Sequence, residues 1–214
     1  IFRVANGAVV NSQTLNEYDG GNITINANIF EATGGGQAIA TTSSSGQAGN
    51  LTVNAADKIV LSGSDRNFSD RASLFNTNIV GNNEGAASGL FASTGKDSTG
   101  GGGNLNVKTG QLIVRDGAQV TVSADGKGSA GNLRIAADSI RLNNGTITAT
   151  TQAGNFGNIT LQTGNLQMRH NSQITTNASG TATGGNINIE AGAVAALENS
   201  DIRANAIRGQ GGNI

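Results

Sequence analysis

The chain has 214 residues, a formal net charge of -1, 33 glycines, no proline and no cysteine, and only 13% of it is charged. That composition excludes a disulfide scaffold, a cysteine-based zinc site and a thiol nucleophile, and equally a highly charged disordered tail or a basic nucleic-acid binder. No run approaches the roughly 18 apolar residues of a membrane span, and the opening Ile1-Phe2-Arg3-Val4 lacks a secretory signal pattern and predicts a piece of a longer protein.

From Gly21 a five-residue phrase recurs: Gly, Asn, an aliphatic, any residue, an aliphatic. Its anchors are Asn22, Asn50, Asn104, Asn132, Asn158, Asn186 and Asn213, at separations of 28, 54, 28, 26, 28 and 27. The period is therefore about 27, with one interval doubled. Two further apolar runs follow within each period. The second includes Ile59 and Leu61, Leu112 and Val114, Ile140 and Leu142, Leu166 and Met168. The third includes Ile39, Val120 and Val122, Ile147, Ile174 and Ile202. Each run alternates apolar with polar residues, which is strand periodicity.

Three short strands per period of constant length predict an all-β chain, a three-sided β-solenoid with six full coils and a partial first one. Equivalent residues then stack at about 4.8 Å. The inward columns read Ile23, Leu51, Leu105, Leu133, Ile159, Ile187 and Ile25, Val53, Val107, Ile135, Leu161, Ile189. The absence of proline fits, since each interior strand needs its N–H on the ladder. Gly-Asn at each coil start suggests corners in left-handed conformation.

The doubled interval leaves residues 64–87 over. They read as a loop ejected between the second and third strands, or else as a degenerate whole coil. A loop on a rigid scaffold is where binding specificity sits, and Arg66, Phe68, Arg71 and Phe75 are its candidate binding residues. The plainer reading is that Phe68 and Phe75 pack back on the solenoid wall.

Chemistry is sparse elsewhere. Glycoside hydrolysis needs two carboxylates about 5–9.5 Å apart, whereas Asp57 and Asp138 fall two coils apart, and Asp116 and Asp125 lie nine residues apart in one coil. One histidine, His170, cannot build the usual zinc site and reads as an exposed turn residue. The reading is thus non-catalytic, with no cofactor, no metal site and no nucleic-acid partner. Thr146-Ile147-Thr148-Ala149-Thr150 is similar to a flat ice-binding face, but Asn177 and Arg203 break the ladder.

The Gly-Asn-Ile-x-Ile phrase, the Ser88-Gly89-Leu90-Phe91-Ala92 strand and the closing Leu197-Glu198-Asn199-Ser200-Asp201-Ile202 resemble the repeats of filamentous-haemagglutinin-like exoproteins, particularly cyanobacterial ones. The resemblance covers essentially the whole chain. It implies a right-handed parallel β-helix and export by two-partner secretion through an outer-membrane pore-forming transporter, engaged by an upstream domain. It also implies a secreted or cell-surface location and an adhesive role toward a host-surface, extracellular-matrix or glycan ligand. The secretion-signal domain of such proteins resembles Asn-Pro-Asn-Gly-Ile, which a chain without proline cannot contain. The alternative is a polysaccharide-acting or glycan-binding β-helix protein.

Overall fold

The computed structural model describes residues 1–74, 84–154, 157–180 and 182–214. The chain winds into a β-solenoid of two seven-stranded parallel sheets. The first sheet stacks β1 (Phe2–Ala5), β3 (Ile23–Thr33), β5 (Leu51–Ser62), β7 (Leu105–Arg115), β9 (Leu133–Asn143), β11 (Ile159–Arg169) and β13 (Ile187–Ala196). The second stacks β2 (Val9–Thr14), β4 (Gln37–Thr42), β6 (Gly89–Thr94), β8 (Gln119–Ala124), β10 (Thr146–Thr151), β12 (Gln173–Ala178) and β14 (Asp201–Ala206). Each odd strand is followed in sequence by its even partner, so each pair is one coil.

The strand count per coil differs from the expectation of three. The first two apolar runs form one continuous strand with a bend between them. The chain bends there by switching its inward phase, and the pairing skips one residue at the bend, as at Gly110, Asp138 and Gly164. In β7 the buried positions are Leu105, Val107 and Thr109, then Leu112 and Val114, so Gly110 and Gln111 fall together at the bend. In β5 one extra residue at Ala56-Asp57 shifts the register against both neighbours.

The stacked columns form as the alternation demands. Ile23 pairs with Leu51, then Leu105, Leu133, Ile159 and Ile187, and Ile25 heads the parallel column through Val53 and Val107. Beyond the bend, Phe2, Phe30, Ile59, Leu112, Ile140, Leu166 and Val194 share another. Apart from Phe2 and Val194 at the two ends, which are exposed, these pack with Val120, Ile147 and Ile174 of the second sheet in one continuous core. A parallel sheet lined by apolar residues inside tolerates little variation in column width, and these columns keep it nearly constant.

The doubled interval adds no rung, because β5 pairs directly with β7 and β4 pairs with β6, which pairs with β8. The described residues between Ser62 and Gly89 leave the coil and include a short helix α1 (Phe68–Leu74).

The repeated Gly-Asn has a different cause from the one its composition suggests. None of the glycines or asparagines of the phrase has a positive φ. Left-handed backbone is concentrated mainly at the corner between each long strand and its successor, as at Asn6, Gly7, Gly35, Asp116, Gly117 and Asn144. The phrase glycines are there for close approach. A Cβ on Gly103 would lie 1.9 Å from the Gly49 carbonyl oxygen, and one on Gly185 would lie 1.9 Å from that of Gly157. The asparagines form a ladder: Asn50, Asn104, Asn132, Asn158, Asn186 and Asn213 each donate a backbone N–H to the side-chain oxygen of the asparagine one coil earlier, at 2.7–3.2 Å.

Ile39 is a second correction. The inward column of the second sheet is Val10, Ala38, Leu90, Val120, Ile147, Ile174, Ile202, and Ile39 falls in the outward one with Asn11, Phe91, Thr121, Thr148, Thr175 and Arg203. Ile39 and Phe91 are nevertheless 0% and 2% exposed, and neither belongs to the main core cluster.

Candidate functional site

Three surfaces bring functional groups together: the insertion, a groove along the bend of the first sheet, and the corner around His170.

The insertion leaves and rejoins the coil through a closed neck. Ser64 and Ala87 form an antiparallel bridge, and the Asp65 N–H donates to the Ala86 carbonyl at 2.8 Å. Asp65 Oδ1 accepts the Asn67 N–H at 3.0 Å, starting α1, as a short acid does where the first helical N–H groups lack partners. Of the four expected binding residues, Arg66 is exposed and Phe68 is half-buried. Arg71 donates Nε and Nη2 to Asp65 Oδ2 at 2.9 and 2.7 Å and stands 5.9 Å from the Phe68 ring centroid. Its guanidinium occupies the space above Gly7, where a Cβ would meet Nη2 at 2.4 Å. Arg71 thus ties the insertion to the first coil. Phe75 lies outside the described residues.

The return arm, residues 84–87, is bonded to the outer wall. Gln37 Nε2 donates to the carbonyls of Gly85 and Ala87 at 2.9 and 2.7 Å, and its Oε1 accepts the Glu84 N–H at 3.1 Å. Ser93 Oγ donates to the Glu84 carboxylate. Glu84 is exposed as a residue, while its carboxylate accepts the Ser93 hydroxyl. Burial there pushes its pKa up, the Ser93 hydrogen bond opposes the shift, and the charge of Asp125 adds to it. Glu84 with Asp125 is a carboxylate pairing that periodicity could not reveal, since it joins the insertion to a turn one coil on.

The groove has a volume of about 990 Å³ and follows the bend from β3 to β11. One rail stacks Asn26, Asn54, Lys108, Ala136 and Gln162, and Ala27, Ala55, Thr109, Ala137 and Thr163 form the floor. Five rungs at the usual strand spacing span about 19 Å. Asn54 donates to Asn26 at 2.9 Å along the rail. Among the described residues lining it, Asp138 is the one carboxylate and Lys108 the one cation. The groove offers ligands side-chain amides and hydroxyls, from Asn26, Asn54, Gln162, Thr109 and Thr163. Small residues at the phase switch make the trough, and the sequence signal for it is the column Ala27, Ala55, Thr109, Ala137, Thr163.

At the third surface, His170 and Asn171 both have positive φ. His170 Nδ1 lies 2.6 Å from Asn143 Oδ1, and Nε2 lies 3.0 Å from Glu198 Oε2. Arg169 also donates to Glu198, and that hydrogen bond first of all holds the Glu198 carboxyl below its usual range. Both imidazole nitrogens are engaged, by the Asn143 amide oxygen and the Glu198 carboxylate, which Arg169 shares.

The four aspartates that the sequence offers as candidate acids have different surroundings. Asp138 lines the groove, Asp57 is at the β5 bulge, Asp116 sits on a left-handed corner bonded to Ser62 Oγ at 2.9 Å, and Asp125 lies beside Glu84. Among the described residues, no three His, Cys, Asp or Glu side chains converge as a metal site would require. No helix is long and apolar enough to cross a membrane among these residues. No protein-family model, curated protein or solved structure matches the chain.

Proposed function

We propose that the chain is a non-catalytic, structural and adhesive rod segment of a filamentous-haemagglutinin-like exoprotein, carried to the cell surface or the medium. The observation that carries this reading is the unbroken stack of fourteen strands in two parallel sheets with constant columns. Such a stack resists bending, because each coil is bonded to two neighbours along its length. A stiff spacer can hold adhesive surfaces away from a membrane. Export through a pore-forming partner, and the cyanobacterial affinity of the repeats, rest on the sequence resemblance alone. Deleting residues 23–206 in frame from the parent protein tests the reading: surface exposure should persist while adhesion falls. A parent protein retained inside the cell would overturn it.

The groove favours a second reading, a glycan-binding β-helix. Four of the five coils present a similar polar and small pair, β9 giving Ala136 and Ala137 instead, so a linear hydroxyl-rich polymer meets a nearly repeating environment along the axis, and the near balance of Lys108 and Asp138 suits a neutral one. Saturable binding of a neutral polysaccharide, lost when Ala136→Trp fills the groove, supports that reading. Reproducible cleavage abolished by Asp138→Asn would instead establish an enzyme.

A further inference from the structure

We propose that Lys108 and Arg134 form a carboxylate-binding point at the rim of the groove, so that the polymer it takes is a mostly neutral glycan carrying a uronic acid at one sugar. This inference rests on the glycan-binding reading of the groove and names the chemistry of its ligand. Lys108 on β7 lines the groove, and its partner in register on β9 is Ala136. Arg134 precedes Ala136 by two residues and so projects from the same outward face. Both cations are exposed. Strand spacing and rise together put their attachment points about 8 Å apart, close enough for two long side chains to converge on one anion.

The pair stands apart from the other cations of the strands. Arg3, Arg115, Arg169 and Arg203 each form an ion pair with an acid. Arg134 and Lys108 have neither an ion pair nor a side-chain hydrogen bond among the described residues. Arg141, also without an ion pair among them, lies past the bend and does not line the groove. In register, Arg134 is flanked by Asn106 and Thr160, and Lys108 by Asn54 and Ala136, none of them acidic. Glu190, further along the rail, accepts the Gln162 amide at 2.9 Å. Asp138, the carboxylate of the groove, follows Ala136 by two residues, and against the two cations it leaves a surplus positive charge.

A carboxylate matches this arrangement better than a denser anion. The guanidinium offers parallel N–H groups to the two oxygens of a planar carboxylate, and the ammonium adds a point charge. Ala136, between Lys108 and Gln162 in register, leaves room for the sugar ring that bears the acid. Asp138 on the far side accepts sugar hydroxyls and repels a second anion. The remaining rungs present amides, hydroxyls and small side chains, which suit uncharged sugars. The chemistry therefore favours one carboxylate in an otherwise neutral stretch over a polyanion.

Calorimetric titration of the full chain with three probes tests this: a linear glucose tetrasaccharide, the same tetrasaccharide with glucuronic acid at one inner unit, and a densely sulfated form. The singly acidic probe should bind roughly three- to tenfold more tightly than the neutral one at low salt, as one or two exposed charge contacts would give. That advantage should shrink as salt is raised. It should vanish in Arg134→Gln and be reduced in Arg134→Lys, which keeps the charge but loses the planar fork. Equal binding of the neutral and acidic probes, or an advantage that survives Arg134→Gln, would overturn the carboxylate point and leave the glycan reading standing. Tightest binding of the sulfated probe would overturn it in favour of unselective charge attraction. Failure of all three to bind would overturn both.

Discussion

The carbonyl oxygen of Gly103 lies 1.9 Å from the point where a Cβ on Gly131 would stand. Real contacts of a methyl carbon with oxygen never come that close, so the coils can stack here only because Gly131 lacks a side chain. Gly131→Ala should therefore force the two coils apart and cost about 1–3 kcal/mol or more. Gly101→Ala is the matched control, since its Cβ would meet nothing nearer than 3.5 Å and its φ is not in the left-handed range. Urea unfolding should separate the two variants clearly, and equal midpoints would refute the close-approach account.

The asparagine beside each such glycine makes a separable contribution. Asn50 Oδ1 accepts both the N–H and the side-chain amide of Asn104, at 2.9 and 3.1 Å, and Asn50 Nδ2 donates to Asn22 at 3.2 Å. Asn50→Ala removes all three. Net contributions of about 0.5–1.5 kcal/mol per hydrogen bond apply, but the ladder is solvent-exposed and water replaces part of what is lost. The expected cost is about 1–2 kcal/mol. Asn50→Asp retains the acceptor and should fall between Ala and wild type in the same unfolding measurement.

The repeat made the inward columns legible, because period and alternation together fix which residues stack. Ile25, Val53, Val107 and Ile135 could be aligned from their distance to the nearest Gly-Asn alone. What lay beyond reach depended on groups from different coils. The steric reason for glycine is a carbonyl one lap away. The number of strands per coil depended on whether the chain bends or breaks at residues such as Gly110, which alternation does not say. Ile39 looked like a core residue because it is apolar and in a strand, yet its register faces outward beside Phe91 of the next coil. The groove and the Glu84–Ser93 contact were hidden for the same reason.

Core truncation should report position along the rod. Leu133 is fully buried in the middle of its column, between Leu105 and Ile159. Leu133→Ala leaves a cavity that coils locked above and below cannot close, and should cost about 2–5 kcal/mol. Ile189 occupies the adjacent column in the last coil and is only partly buried against the core. Ile189→Ala should cost markedly less. Thermal denaturation of the two variants checks this, and similar losses would mean that the stack does not constrain its middle more than its end.

The outward threonines yield a prediction of opposite sign. Thr121 and Thr148 hydroxyls lie 3.0 Å apart on adjacent coils, whereas Thr175, next in the same column, is 4% exposed and its Oγ1 has no hydrogen-bond partner among the described residues. A buried hydroxyl without a partner forfeits its hydration, at about 1–3 kcal/mol. Valine has nearly the same shape and the same β-branched preference for strands. Thr175→Val should therefore stabilise the protein by about 1 kcal/mol. Thr148→Val, the same exchange one coil earlier, deprives Thr121 of its partner and should destabilise by about 0.5–1.5 kcal/mol. Opposite shifts in the urea midpoint are the expected result. If both variants lose stability equally, the Thr175 hydroxyl is satisfied in solution and the outward column is a uniform hydroxyl ladder from Thr121 to Thr175.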